Sequence, residues 1–177
     1  MKKSDVVKKS HQLLTTLTNS SDIIIDATLG NGFDSLFLSD KVAKVYAFDI
    51  QQEAINKACE TLDKIGNVEL ILDSHINYQK YVSKYDGVIF NLGYLPGGNK
   101  QITTTAKSTI SALKLMICDK CARFILLVVY PGHDQGMTES IEINQYLKTI
   151  DSYEFNHYYL SDDSKKAYVI LLQIKKN

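Results

Sequence analysis

Residues 26–32 read Asp26-Ala27-Thr28-Leu29-Gly30-Asn31-Gly32, and they carry the clearest indication of how the chain folds. An apolar run at residues 23–25 precedes them, and residues 33–38 follow with the apolar spacing of a helix. A buried strand, a glycine turn and a helix N-terminus in this order are typical of a ligand site at the carboxyl end of a parallel strand. The two glycines let the backbone turn sharply and approach a ligand where a Cβ would clash.

The acids around this loop indicate which ligand it binds. Ser35 stands where a G-x-G-x-x-G fingerprint needs its third glycine, and the chain has no P-loop motif. Asp26 would repel a pyrophosphate, whereas it suits a ligand with an ammonium or sulfonium charge. Asp49 ends the next predicted strand, where an acid can accept hydrogen bonds from ribose hydroxyls. An acid, a glycine loop and a ribose acid form the arrangement of S-adenosylmethionine sites; the alternative is a generic strand–turn–helix with a capping aspartate.

Length and composition favour one globular domain. The chain has 177 residues, of which 45% are apolar and 23% are charged. We expect a single domain over residues 1–177, with residues 1–20 forming an N-terminal helix and turn packed on it. No apolar run reaches the roughly 18 residues of a membrane span. The 20 basic and 20 acidic residues balance, so the composition allows nucleic-acid binding without indicating it.

The cysteines and the N-terminus predict a cytoplasmic protein. The first five residues turn polar at once and lack the apolar core of a signal peptide. Cys59, Cys118 and Cys121 are odd in number, which fits a reducing compartment better than a disulfide framework. The Cys118-x-x-Cys121 pair has no second Cys/His pair at ligand spacing, so we expect two incidental thiols and no metal.

Apolar patterns alternate between helix and strand along the chain. This alternation predicts a Rossmann-like, doubly wound α/β fold, and the last two strands read as an antiparallel hairpin. We therefore predict a mostly parallel seven-stranded sheet with a C-terminal antiparallel hairpin. Predicted helices cover residues 4–18, 33–38, 51–65, 75–82, 103–118 and 138–150, and predicted strands cover residues 23–25, 44–49, 68–72, 86–90, 123–130, 154–160 and 167–174.

Polar residues follow several of the predicted strands, and these strand ends should converge on one crevice. After the third strand, we expect Asp73 to hold the amino group of adenine and Ser74 and His75 to line its ring. His75 at a helix start is equally consistent with a cap or a surface residue. The alternating aromatic residues of the sixth strand, by contrast, predict sheet packing or a subunit contact; they are Tyr153, Phe155, His157 and Tyr159.

The fourth strand runs into Asn91-Leu92-Gly93-Tyr94. This Asn-x-x-Tyr pattern is similar to the Asn/Asp-Pro-Pro-Tyr signature of methyltransferases that act on amino nitrogens. In that signature the Asn side chain and the next carbonyl accept hydrogen bonds from the target nitrogen, and the aromatic ring packs on the substrate. Methyl transfer is an in-line displacement, so such positioning supplies most of the catalysis. Leu92 and Gly93 replace the two prolines, and a loop merely shaped by glycine and proline is the alternative.

Tyr130-Pro131-Gly132-His133 supplies the strongest candidate for a general base. An alkylammonium substrate must lose a proton before its nitrogen can attack, and histidine has the side-chain pKa nearest neutrality. We expect His133 to accept this proton with help from Tyr130. A turn histidine bonded to the backbone is the alternative. Lys100 is a candidate to meet a substrate phosphate, but a plain solvated lysine is the favoured interpretation.

At these residues the chain resembles a known family. The likeness rests on residues 26–34, 48–51, 90–100 and 130–133, and it extends over nearly the whole chain. These stretches resemble the small bacterial methyltransferases first described as putative rRNA methylases. The resemblance implies an S-adenosylmethionine-dependent enzyme that methylates the aminomethyl group of 5-aminomethyl-2-thiouridine at the tRNA wobble position. It also implies a homodimer and contact with the anticodon region of tRNA. Asn99 departs from the acid expected at its position.

Motifs and resemblance together predict the site residues. Catalysis is assigned to Asn91, Tyr94, Tyr130 and His133, and substrate binding to Tyr94, Pro96, Lys100 and His133. Three other functions remain open: methylation of ribosomal RNA or a small amine, a non-catalytic nucleotide- or RNA-binding module, and, least favoured, a nicotinamide dehydrogenase. The predicted S-adenosylmethionine site comprises Asp26, Thr28, Gly30, Asn31, Gly32, Asp34, Asp49, Ile50, Gln51, Asp73, Ser74, His75 and Asn91.

Overall fold

The computed structural model describes residues 4–93, 95, 97 and 104–175. Helices and strands alternate along this part of the chain, as the apolar periodicity predicts. The helices are α1 (Asp5–Leu17), α2 (Phe33–Ser39), α3 (Gln52–Thr61), a 3₁₀ helix (His75–Lys80), α4 (Ala106–Asp119) and α5 (Asp134–Leu147). The strands are β1 (Ile23–Asp26), β2 (Lys44–Asp49), β3 (Val68–Leu72), β4 (Gly87–Asn91), β5 (Phe124–Val129), β6 (Tyr153–Tyr159) and β7 (Tyr168–Ile174).

The strands form one seven-stranded sheet in the order β3-β2-β1-β4-β5-β7-β6. Strands β1 to β5 are parallel, whereas β7 pairs antiparallel with both β5 and β6. The predicted mostly parallel sheet with a C-terminal antiparallel hairpin is therefore confirmed. The strand order reverses between β1 and β4, and in sheets of this kind ligands bind beyond the carboxyl ends of the strands at that reversal.

The core lies on both faces of the sheet. All six residues of β5 are buried, as expected for a strand covered on both sides. Leu113 of α4 and Ile143 of α5 pack on one face, whereas Leu14 of α1 and Leu38 of α2 pack on the other. Helix α1 packs against β5 and β7, which holds the N-terminal segment on the sheet.

Two helix starts differ from the predicted boundaries by three residues or more. Helix α5 begins at Asp134, four residues before the predicted start at 138, because the His133 ring caps it by accepting the Gly136 N–H. Gly136 in the first turn hides this start from propensity arguments, and a Cβ there would lie 2.1 Å from the Tyr130 carbonyl oxygen. Helix α4 begins at Ala106, after a reciprocal capping box between Thr105 and Ser108.

The described ranges contain neither a membrane-spanning helix nor a cluster of metal-binding side chains. None of the helices there is long and apolar enough to cross a membrane. Over the same ranges, no three His, Cys, Asp or Glu residues are grouped so that they could hold a metal ion. Cys59, Cys118 and Cys121 are free thiols.

The start of β4 tests how tightly the sheet packs. Gly87 lies opposite Phe124 of β5, and a Cβ on Gly87 would lie 2.2 Å from Cζ of that fully buried ring. Gly87→Ala should therefore lower the free energy of unfolding by about 1–3 kcal/mol through overpacking. Gly66→Ala is the matched control, because nothing lies within 4 Å of a Cβ there. Urea unfolding measures both; equal midpoints for the two variants would contradict the predicted strain.

Candidate active site

A cavity of about 1130 Å³ opens at the carboxyl ends of the parallel strands. Its wall contains residues that follow β1, β2, β3, β4 and β5. Ser4 and Val7 close one side of it from the N-terminal segment, and Lys165 and Ala167 approach from the β6–β7 connection. The predicted convergence of distant polar residues on one crevice therefore occurs.

The glycine loop is held in place by its own backbone and by β2. Gly30 and Gly32 have φ values of +52° and +80°, in the left-handed region that favours glycine. A Cβ on Gly32 would also lie 3.2 Å from the Ala58 Cβ of α3. The Gly30 N–H donates to Asp49 Oδ2 at 3.0 Å, and the Gln51 N–H donates to Asp49 Oδ1 at 2.9 Å. Asp49 thus joins the loop to the end of β2, while its carboxylate still lines the cavity.

Asp26 does not line the cavity, contrary to the sequence-based prediction that it faces a cationic ligand. Its side chain is 1% exposed and lies beneath the glycine loop. There it accepts hydrogen bonds from Ser35 Oγ at 2.7 Å and from the Thr28 N–H at 3.2 Å. Burial, reinforced by the nearby Asp34 charge, raises the pKa of Asp26 to about 7. Gly32 likewise supports the loop from outside the cavity wall.

Asp34, in the first turn of α2, also reaches the cavity near the glycine loop. Its Oδ1 accepts a hydrogen bond from His11 Nε2 at 2.6 Å, and its Oδ2 accepts one from Asn91 Nδ2 at 2.9 Å. Sequence reasoning missed His11 entirely. A signal was present, because His11 lies at helical spacing between Val7 and Leu14 on the apolar face of α1.

The residues after β3 surround another part of the cavity. Asp73 accepts hydrogen bonds from the Ser74 N–H and from Asn77 Nδ2, both at 2.7 Å. These two bonds stabilise the start of the 3₁₀ helix and occupy part of the carboxylate's hydrogen-bonding capacity. His75 Nδ1–H donates to the Ala27 carbonyl oxygen at 2.9 Å, which leaves Nε2 as an acceptor. Burial lowers the pKa of His75, so its ring is neutral at pH 7.

Tyr130 and His133 both line the cavity, yet neither is arranged as a simple base. Burial, with a contribution from Asp34, raises the pKa of Tyr130 to about 12, so its phenol stays protonated at neutral pH. His133 Nδ1 accepts the Gly136 N–H at 3.1 Å as the cap of α5. A proton acceptor at Nδ1 would require release of this cap; the role predicted for His133 stays a prediction.

The residues present fit a ligand rich in hydrogen-bond donors, as S-adenosylmethionine is. Asn31 Oδ1 and His75 Nε2 are buried acceptors in the cavity wall, and within the described ranges neither has a hydrogen-bond partner. Ile50 is 61% exposed beside Asp49 and offers an apolar surface for an aromatic ring. The predicted cofactor residues in the wall are Thr28, Gly30, Asn31, Asp34, Asp49, Ile50, Gln51, Asp73, Ser74, His75 and Asn91.

Some predicted residues are not tested by the geometry. Tyr94, Pro96, Asn99 and Lys100 lie outside the described residues, and the roles predicted for them stay predictions.

On β6, Tyr153 is buried and its hydroxyl donates to the Ala122 carbonyl oxygen at 2.7 Å, in keeping with sheet packing.

Comparison with known proteins gives a consistent result. The model of a family described as "Putative rRNA methylase" matches residues 45–174. The chloroplastic tRNA (mnm(5)s(2)U34)-methyltransferase of Arabidopsis thaliana is 38% identical over 148 residues, covering 73% of this chain and 54% of that protein. The chain therefore spans about half the length of this curated relative.

Two solved structures are similar to this protein over nearly its whole chain. The structure of a "putative rRNA-methylase" from Clostridium thermocellum has a TM-score of 0.89 at 29% identity, covering 99% of this chain and 100% of that one. A "putative methyltransferase" from Streptococcus mutans, solved in complex with SAH, has a TM-score of 0.86 at 33% identity with the same coverage. The similarity thus extends from α1 to the terminal hairpin.

Asp26 makes a specific contribution to the pH dependence of stability. Its pKa of about 7 in the folded chain exceeds the value of 3.8 expected when it is exposed. Between these pH values the unfolded chain ionises Asp26 while the folded chain keeps it protonated, so this group lowers stability as pH rises. Asp26→Asn should remove that loss. The difference between the urea midpoints of the variant and the wild type should move in favour of the variant as the pH rises from 4.5 to 7.5. A difference that stays constant with pH would contradict the raised pKa of Asp26.

Proposed function

The chain belongs to the family described as "Putative rRNA methylase", and on that premise we propose that it is an S-adenosylmethionine-dependent methyltransferase of the tRNA wobble uridine. Its substrate in this proposal is the aminomethyl group of 5-aminomethyl-2-thiouridine. The observation that carries the substrate is the 38% identity with the chloroplastic tRNA (mnm(5)s(2)U34)-methyltransferase. The asparagine at the end of β4 supports an amine as the methyl acceptor, whereas the family description mentions rRNA.

The Streptococcus mutans relative, which was solved in complex with SAH, supports the choice of cofactor. The residues of the cavity wall support it as well. When bound, S-adenosylmethionine supplies a methyl group on a sulfonium centre. Asp49 offers its remaining lone pairs to ribose hydroxyls, because only part of its capacity is used by the N–H groups of Gly30 and Gln51. Asn31 Oδ1 and His75 Nε2 would offer further acceptors, and the exposed Ile50 side chain would offer an apolar surface to the adenine.

Asn91 holds the substrate amine in this proposal. Its backbone N–H donates to Thr28 Oγ1 at 2.6 Å, which fixes the end of β4 against the glycine loop. The carboxamide oxygen accepts a hydrogen bond from the amine, and this contact directs the nitrogen lone pair along the line of attack. Attack requires the neutral amine, and Tyr130 is unsuited to accept the ammonium proton because its pKa is about 12.

The partners and the location belong to the same proposal. The anticodon region of tRNA is the macromolecular substrate, a second copy of the chain forms a homodimer, and the enzyme acts in the cytoplasm. The near-zero net charge places any attraction for RNA in local patches, such as the rim at Lys165.

Methyl transfer to tRNA tests the proposed function directly. Purified protein, labelled S-adenosylmethionine and bulk tRNA lacking the modification should yield methylated 5-aminomethyl-2-thiouridine, identified by nucleoside mass analysis. At saturating S-adenosylmethionine, Asn91→Ala should lower the rate about 100-fold or more, because positioning of the amine is lost. Ribosomal RNA and a free alkylamine serve as competing substrates. If ribosomal RNA or the alkylamine becomes labelled while tRNA stays unlabelled, the proposed tRNA substrate is wrong.

Asp49→Asn tests the cofactor site. Loss of the carboxylate weakens charge-assisted hydrogen bonds to the ribose, so the dissociation constant for S-adenosylmethionine should rise about 10- to 100-fold. Isothermal titration calorimetry measures this change. Asp40→Asn is the matched control, because Asp40 is exposed at the end of α2, and its affinity should equal that of wild type. Unchanged binding by the Asp49 variant would show that the ribose lies elsewhere.

A further inference from the structure

Two hydrogen bonds link α1 to the end of β4 through Asp34 of α2. His11 Nε2 lies 2.6 Å from Asp34 Oδ1, and Asn91 Nδ2 lies 2.9 Å from Asp34 Oδ2. The sequence separations are 23 and 57 positions, so neither contact follows from local structure. Both oxygens of one carboxylate are therefore occupied by donors from two different elements.

The two residues behind Asn91 are held firmly. His11 is 6% exposed and Asp34 is 8% exposed. The His11 ring stacks on Phe37, with centroids 3.8 Å apart and planes inclined by 16°. A buried carboxylate with two donors has little freedom to rotate, because each rotation would leave a polar group without a partner. Asp34 consequently presents Oδ2 to Asn91 in one fixed direction.

This fixed direction determines which end of the Asn91 carboxamide faces the cavity. A carboxylate only accepts hydrogen bonds, so Asn91 must turn its amino group toward Asp34. Its carbonyl oxygen is then at the opposite end, and within the described ranges no group donates to it. Asn91 lines the cavity, so this oxygen is available to a ligand. The reversed carboxamide would place its oxygen against the carboxylate and offer donors to the substrate.

We propose that His11 and Asp34 are positioning residues that lock the Asn91 carboxamide with its oxygen toward the methyl acceptor. The proposal rests on the proposed function in one respect, namely that the acceptor is an amine whose N–H groups need an acceptor. Helix α1 is thereby part of the active-site machinery as well as a cover for the sheet. Loss of His11 frees Asp34 to turn its carboxylate away from Asn91, and the Asn91 carboxamide, no longer held by that acceptor, then samples both orientations.

The side-chain amide signals of Asn91 report its orientation without any substrate. In ¹⁵N-labelled protein these signals are assigned by their loss in Asn91→Asp. The wild type should show two well-separated protons with slow solvent exchange, as expected for a carboxamide held by a carboxylate. His11→Ala should narrow the separation and speed exchange. His11→Gln should preserve both features, because the glutamine amide can still donate to Asp34.

A second histidine provides the matched control. His157 on β6 also makes a 2.6 Å hydrogen bond, to Asn144 Oδ1, but it lies outside the cavity wall. His157→Ala should change thermal stability without altering the Asn91 signals. If His11→Ala leaves the Asn91 signals as in wild type, or if both histidine variants alter them equally, the positioning role is overturned.

Kinetics measure the consequence for catalysis. With tRNA as substrate, His11→Ala should lower kcat about 10- to 100-fold while the dissociation constant for S-adenosylmethionine stays within about twofold of wild type. His11→Gln should recover most of the rate, which a loss of folded protein would not explain. Equal kcat in His11→Ala and wild type would overturn the proposal. If the wild type fails to methylate tRNA, the proposed function fails, and the Asn91 signals still decide the positioning role.

Discussion

Parallel pairing of β1 with both β2 and β4 is the constraint on which the rest of the structure depends. The strand order reverses between β1 and β4, so the connections on the two sides of that point leave the sheet in different directions and a crevice opens between them. Asp49 at the end of β2 and Asn91 at the end of β4 therefore reach one cavity. The glycine loop follows β1, which lies between β2 and β4 in the sheet. Its left-handed residues Gly30 and Gly32 allow the backbone to stay close to that cavity.

Three aspartates around this crevice have different roles because their surroundings differ. Asp26 is buried beneath the loop, and its pKa of about 7 makes it a structural group that is protonated over much of the acidic range. Asp34 has donors on both oxygens and directs the Asn91 carboxamide. Asp49 is held by two backbone N–H groups and keeps capacity for a ligand, although burial raises its pKa. Residue type alone would not separate these roles.

Much of the site was predictable, and what the local patterns left out has a common cause. The strand ends, the glycine loop and the residues after β3 were identified because apolar spacing and turn residues are local signals. Asp26 was predicted to face the ligand because it ends a strand, but its side chain turns inward to Ser35. The base role of His133 stays a prediction, and the structure adds that its ring caps α5 by accepting the Gly136 N–H. Both outcomes depend on where a side chain finds its partner.

The amino-acid sequence alone established an α/β fold, a parallel sheet with a terminal hairpin, and a glycine-loop site with acids on two strand ends. It did so because helical and strand periodicity, like the need for glycine in a left-handed turn, are properties of neighbouring residues. Only the tertiary structure decided which acid faces the cavity and that His11 stands behind Asn91. Those facts rest on burial and on hydrogen bonds across 23 and 57 positions, which no local pattern encodes.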